Sequence, residues 1–400
     1  MKLGNYFLTL GFIGIIFSFG IFTILLEDKP KSFFENRKLA QSPEFGTKDI
    51  LNGNLFKDYE LYFTDQFVGR DKWVENYTKW KLVSGETYVN GYHVTNDQLI
   101  LENPIVNVSE QSLNESAEAI NSLGEYLKEK QSRLFYVPAP AKVHFTTDYL
   151  PSYAPKGNGI ENTNHLISRL DNEVVKTIPL STYFNENFTD EELVDFYFKT
   201  DHHWNMKGAF KGYQLMMSQL SKEFKEIPLD FTNKNYTYSI DEKINFIGSY
   251  NLSLYMLINS EGDHPNYYLP KNYSFDNLTI YSGPIDKKRL IKNNGNIYAS
   301  GYNKELKEFD YGRTYTFNYD ELNIVNEESK NKLRVLLLKD SYANPIIPHI
   351  AHHFHTTTVY DMRYNKDRTV YDYLDKHEYD LVIVFYNTNN LIGPMYRFNG

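Results

Sequence analysis

Short apolar runs recur along the chain, each closed by a polar or proline-containing turn. Leu134–Val137, the EVVKTIPL stretch at 173–180, Val335–Leu338, Thr357–Tyr360 and Leu381–Phe385 are the clearest. Between and around them lie helix-length segments: Phe56–Gly85, Gln111–Gln131, Gly208–Glu223, Pro345–His353 and Arg368–His377. Three of these runs, 134–137, 335–338 and 381–385, hold four to five apolar residues in a row without alternation, the mark of strands buried on both faces. Their alternation with helices predicts an α/β fold with a parallel central sheet covered on both sides. Residues 226–328 break this pattern. They are rich in Tyr and Asn, lack long apolar runs and carry turn signals such as NSEGDHPN, KNNGN and YGRT. An insertion of irregular and antiparallel structure is expected there.

The N-terminus follows a different rule. Asn5–Leu26 is 22 residues without a charge. At about 1.5 Å per residue it spans about 33 Å, enough for a hydrocarbon layer of about 30 Å. A cleavable signal has a shorter apolar core and small residues at a cut site. Here ILLEDKPK follows instead, so an uncleaved transmembrane signal anchor is expected over 1–28, with the downstream chain outside. Residues 29–53, polar and proline-containing, read as an extracytoplasmic stalk, and 54–400 as the folded domain.

Composition narrows the chemistry. The net charge is 42 − 51 = −9 with no basic block, which argues against nucleic acid as a partner. There is no cysteine, which excludes disulfides, thiol catalysis and thiolate metal sites. Tyr (34) and Phe (27) far outnumber Trp (3). Rings that offer an apolar face and a hydroxyl suit sugars, although a compositional bias toward Asn and Tyr is the simpler account of them.

In an open parallel sheet, ligands gather at the carboxyl ends of the strands. Three successive runs deliver polar groups there: Lys339-Asp340-Ser341, Asp361-Met362-Arg363 and Tyr386-Asn387-Thr388-Asn389. Ser341 follows VLLL and precedes Pro345, a residue favoured in the first turn of a helix. A hydroxyl placed so needs a base before it is a nucleophile. The base is sought in TDHHW, 200–204. If Asp201 to His203 is extended, the two share a face. Asp201 then orients His203 toward Ser341, the acid–imidazole–serine logic found in several chain orders. On that geometry His202 points away and Trp204 walls the pocket. His349, His352, His353 and His355 form a second cluster. The first three fall on one side of a helix, a pattern that also suits a solvated face, and no metal centre is expected.

TDHHWNMKGA, LLLKDSYANP, VYDMRY and the early FFENRKLAQSPEF…FKDYELYFTDQF…R together resemble the DHHW protein family. That family is similar to the alginate-type, SGNH-hydrolase-like O-acetyltransferases of bacterial cell-surface polysaccharides. The resemblance runs over most of 34–390. It implies an SGNH-like three-layer α/β/α domain and acetyl transfer to a polysaccharide without a cofactor. It further implies a membrane-bound O-acyltransferase partner that supplies acetyl groups. Asp201, His203 and Trp204 match its first motif and Ser341 its serine block. Lys339-Asp340 stands where hydrolases carry glycine-aspartate, and no separate glycine and asparagine blocks can be assigned. The Ser341 N–H, Tyr386 and Asn387 are therefore the oxyanion candidates, with Tyr342, Asn344 and Arg363 as further substrate-side candidates. Arg363 serves equally well in a structural ion pair. An esterase with the same triad, or a non-catalytic glycan-binding assembly protein, are the competing readings.

Overall fold

The computed structural model describes residues 2–44, 52–283, 289–290, 298 and 308–400. The KNNGN signal at 292–296 and positions 45–51 of the expected stalk lie outside the described residues. The chain packs as two units, one of residues 1–90 with 251–258, the other of 91–250 with 259–400.

In the first unit, α1 (Lys2–Leu25) is long and apolar enough to cross a membrane. The Phe56–Gly85 stretch forms two helices, α2 (Asn54–Gln66) and α3 (Arg70–Val83). The turn between them is only three residues long, and Gly69 closes it at φ 71°, a conformation that costs glycine little. The segment following α1 is tied to these helices. Arg37 binds the buried Asp65 through two guanidinium nitrogens at 2.8 and 2.6 Å, and Tyr62 donates to Asp28 at 3.0 Å.

The second unit is built on one eight-stranded sheet. After helix α4 (Glu110–Glu129) come β1 (Arg133–Ala139) and β2 (Val175–Thr177), then helix α5 (Met206–Glu223). There follow β3 (Thr279–Ser282), β4 (Arg289–Leu290), β5 (Glu321–Val325) and β6 (Arg334–Lys339). Last come α6 (Ile347–His352), β7 (Thr356–Tyr360), α7 (Val370–Lys376) and β8 (Leu381–Asn387). The spatial order is β4-β3-β5-β7-β6-β8-β1-β2.

The five expected strands, β7, β6, β8, β1 and β2, run parallel. The sheet as a whole is mixed, which corrects the expectation of a parallel sheet. β5, β3 and β4, all from the 226–328 region, extend it antiparallel past β7.

Alternate residues of the central strands enter two separate cores, as the pleat requires. Ile383, Phe385, Val137 and Leu337 meet Phe210, Tyr213 and Met217 of α5. Val382, Val384, Tyr136 and Leu336 meet Leu113, Ile120 and Leu127 of α4. The three-layer α/β/α arrangement follows from this period-two split.

The histidine cluster is not a solvated helix face. His349 and His353 are fully buried, and burial pushes them down to about 4 and about 3. His349 Nε2 binds the Tyr268 carbonyl, His353 Nε2 lies 2.6 Å from the Tyr213 hydroxyl, and His352 meets Asp230 at 3.0 Å. α6 packs toward α5 between aromatic rings, and each of these histidines spends a ring nitrogen on a protein partner.

Candidate active site

Ser341 opens a 3-10 turn (Ser341–Ile346) directly after β6. Asp340 sets that corner. Its Oδ1 accepts from the Tyr342 N–H at 2.9 Å and its Oδ2 from the Asn387 N–H at 2.7 Å, so one carboxylate joins the ends of β6 and β8. Burial raises the Asp340 pKa against the pull of these N–H donors. The Ser341 N–H heads the turn, a position with no intrahelical acceptor. At the end of β8, the strand paired with β6, the Asn387 side-chain nitrogen is buried with no partner among the described residues. A buried amide nitrogen left unpaired is costly unless something fills the gap.

His203 arrives from a bend. Its backbone N–H donates to Asp201 Oδ1 at 2.8 Å, closing an Asx turn, and its Nδ1 lies 2.6 Å from the same oxygen. The other ring nitrogen, Nε2, lies 2.7 Å from Ser341 Oγ. Asp201, His203 and Ser341 thus form one hydrogen-bonded line across 138 positions of sequence. Burial alone would push the Asp201 carboxyl up, yet His202 and His203 beside it and the Ser249 N–H (2.6 Å) hold it far below the usual carboxylate range.

The bend is clamped from beneath. Lys142, buried, points its ammonium at four carbonyls, those of Ile100, Phe198, Lys199 and Asp201, each at 2.9 Å. Burial lowers its pKa to about 8. Asp263 accepts from the Lys199 and Thr200 N–H groups at 2.8 Å and from the Thr200 hydroxyl at 2.7 Å. Gly248 lies so close to Thr200 that a Cβ there would meet its carbonyl oxygen at 2.0 Å, and that approach brings Ser249 to Asp201. Tyr311 stacks flat on the His203 ring, centroids 3.7 Å apart and planes 8° apart.

Two further bonds lock the halves together. Trp204 Nε1 donates to the Tyr342 carbonyl at 2.8 Å, and the Tyr342 hydroxyl donates to the His202 carbonyl at 2.5 Å.

The sheet architecture and the bend have relatives. A family model described as the SGNH hydrolase-like domain of the acetyltransferase AlgX matches residues 99–262. The solved structure of Bacillus cereus PatB1 is 33% identical, covers 76% of this chain and 98% of its own, and superposes with a TM-score of 0.69. The chain belongs to the SGNH-hydrolase-like acetyltransferase family. A second PatB1 structure, with a sulfonyl adduct, is 31% identical over 76% of this chain and 96% of its own, with a TM-score of 0.66. A DHHW family protein from Eubacterium siraeum shares the fold at 19% identity and a TM-score of 0.53, covering 77% and 94%. No curated protein sequence matches the chain.

Within this acetyltransferase fold the expected residues divide. Asp201, His203 and Ser341 meet, and Asn387 stands at the neighbouring strand end. Tyr386 does not join them. It faces the α4 core, as the pleat dictates one residue before Asn387, and its hydroxyl contacts Met362 sulfur at 3.4 Å. Asn344 is buried and fully occupied by Lys339, Thr316 and Asn318. Arg363 forms the structural pair, gripping the buried Asp361 at 2.9 and 2.6 Å. Trp204 is wholly buried and anchors the bend where a pocket wall was expected. Tyr342 is likewise a tie between segments.

His202 does not point away. Its ring lies 3.7 Å from that of His203, with Nδ1 2.9 Å from Ser249 Oγ and 3.5 Å from Asp201 Oδ1. The Asx turn replaces the extended backbone on which alternation depends. Asp201, His202 and His203 also bring three ligand-type atoms within 4.8 Å of one another. Those of His203 and Asp201 are already committed to each other and to Ser341 and Ser249.

Lys142, Asp263, Ser249 and Tyr311 were missed. Asp263 and Tyr311 fall in the turn signals NSEGDHPN and YGRT and Ser249 in the GSY at 248–250, but none of these patterns points to the site.

Proposed function

We propose that this acetyltransferase moves acetyl groups onto hydroxyls of a cell-surface polysaccharide through an acetyl-Ser341 intermediate. The 2.7 Å contact between His203 Nε2 and Ser341 Oγ, with Nδ1 of the same ring on Asp201, carries the reading. Ser341 Oγ attacks the acetyl carbonyl of an ester or thioester donor while His203 Nε2 takes its proton. The tetrahedral oxyanion collapses, the bond from carbon to the donor's oxygen or sulfur breaks, and Nε2 returns the proton to the leaving group. A sugar hydroxyl then gives its proton to Nε2 and bonds to the acetyl carbon, and Ser341 departs with the proton restored. Asp201, kept ionised, holds the Nδ1–H tautomer and stabilises the imidazolium.

The Ser341 N–H and the unpaired Asn387 amide are the oxyanion donors in this scheme, each worth about 3 kcal/mol in comparable sites. A cavity of about 260 Å³ beyond β8, bordered by Thr388, Asn389 and His144, is lined by none of Asp201, His203, Ser341 and Asn387 and is given no part in the reaction. We further propose that α1 is the membrane anchor, that the folded chain lies on the extracytoplasmic side, and that a membrane-bound O-acyltransferase supplies the acetyl groups.

Mass spectrometry after exposure to an activated acetyl ester tests the intermediate. Wild type should gain one acetyl on Ser341, and Ser341→Ala none; equal labelling of both rejects the nucleophile. PatB1 is known with a sulfonyl adduct, so a sulfonyl fluoride is the matching irreversible probe. Release of free acetate undiminished by added oligosaccharide would favour an esterase.

A further inference from the structure

The first unit carries rings that its own packing leaves exposed. On α3, Trp73, Tyr77 and Trp80 recur at i, i+4 and i+7 and are all more than half exposed; on α2, Phe56 and Phe63 share a stripe seven residues apart. Tyr77 and Trp80 stack on each other, and Lys81 sits over the Tyr77 ring at 4.9 Å. Thr78 is the only buried residue of α3. Exposed apolar patches of this kind mark interaction surfaces.

The position of the patch relative to α1 identifies the occupant. Phe19 of α1 stacks on Phe67 (5.7 Å) and meets Trp73 edge-on (5.9 Å), and Phe67 continues to Phe63 (5.8 Å). Thr23, buried where most of α1 is exposed, accepts from the Val68 N–H at 3.1 Å. Gln66 brackets Lys29 just beyond the helix. Phe19 lies six residues before the end of α1, about 9 Å along a helix that needs nearly its full length to cross the hydrocarbon layer. Whatever packs on Phe19 and Thr23 therefore lies within about 9 Å of the membrane boundary, next to the zone where Trp and Tyr concentrate and lysines reach outward.

We propose that the α2–α3 turn and the ring stripe of α3 form an in-plane contact with the lipid headgroup and upper acyl layer of the bilayer that α1 crosses. The contact makes a two-point attachment. α1 prevents escape, and the hairpin prevents free rotation of the anchor. The proposal rests on α1 being retained as an anchor.

Three tryptophans make the test direct, since Trp73 and Trp80 lie on α3 and Trp204 is wholly buried. The full chain is reconstituted in phosphatidylcholine–phosphatidylglycerol vesicles with or without lipid brominated on the upper acyl chain. Bromolipid should quench a large part of the emission, with Trp73→Phe and Trp80→Phe each removing a share of the quenched component and leaving the Trp204 remainder. Equal emission in both vesicle types, from protein that resists carbonate extraction, would overturn the hairpin contact and leave the anchor intact. Loss of the protein on carbonate extraction would overturn the anchor and the hairpin contact together.

Discussion

Ser341 stands at the end of β6, a strand hydrogen-bonded on both sides, and the Asp340 carboxylate ties that end to β8. His203 stands in a bend closed by a single antiparallel bridge, Tyr197 with Trp204, and held by Lys142, Asp263, Ser249, Tyr311 and Tyr342. One half of the site is positioned by the sheet, the other by side chains from distant segments. A sheet end tolerates most changes around it, whereas a clamped bend depends on each clamp. The two halves should therefore fail differently.

The largest expected effect treats both halves alike. Ser341→Ala and His203→Ala should each reduce kcat by about 10⁴-fold or more, with circular dichroism unchanged, because members of such a unit fail together. A His203→Ala enzyme within tenfold of wild type would dissolve the line of hydrogen bonds as a catalytic unit.

On the sheet side, Asn387→Ala should cost about 10² to 10³ in kcat with KM nearly unchanged. The backbone N–H to Asp340 stays, while the bond that Asn387 Oδ1 accepts from the Asn389 N–H goes with the side chain. Tyr386→Phe, one residue earlier and facing the other core, should stay near wild type. Equal losses from the two would remove Asn387 from the oxyanion role.

On the clamped side, Lys142→Met should lower kcat by about 10 to 10²-fold, the scale of a displacement near 1 Å in a catalytic group. Its pH behaviour is distinctive. Lys142 and Lys339 are both lowered by burial from 10.5 to about 8. Between about pH 8 and 10.5 the unfolded chain therefore binds more protons at these sites than the folded one. Their contribution to stability rises with pH across that window. Activity should move the opposite way, falling above about pH 8 as the Lys142 ammonium loses a proton shared among four carbonyls. Parallel pH profiles of kcat and of urea midpoint check this. A fall that persists unchanged in Lys142→Met assigns it elsewhere, with Lys339→Met as the comparison.

The same contrast explains what the sequence could disclose. VLLLKDS announces Ser341 because a buried strand followed by a polar corner is a local pattern. TDHHW announced its acid and base by residue type, although an Asx turn, and not extended backbone, joins them. The clamps left no such trace. Lys142 follows a proline-rich loop and reads as an ordinary surface lysine, and its four carbonyl partners come from two distant segments. The antiparallel edge was hidden for a related reason. β5, ELNIV, is buried over its first four residues, yet Glu321 and Asn323 interrupt its apolar run. Tertiary contacts satisfy Glu321: Arg368 at 2.5 Å and Tyr373 at 2.9 Å. A buried polar group is affordable only with such partners, and those partners do not exist in a local window.

The smallest expected effect tests how finely the clamped half divides its labour. Burial first, and His203 beside it second, push His202 down to about 4, so at neutral pH its ring is uncharged and its removal subtracts no cation. Its carbonyl, which receives the Tyr342 hydroxyl, survives any side-chain change. His202→Ala then loses only the contact with Ser249 Oγ and one wall of the His203 ring, and kcat should fall less than roughly tenfold, under about 1.4 kcal/mol. His202→Asn, which can still meet Ser249, should recover part of that. Losses as deep as those of His203→Ala would mean that both imidazoles do the same work. Asp201, His202 and His203 would then have to be tested as a metal site by elemental analysis and chelation, and the acid–base assignment of His203 alone would be given up.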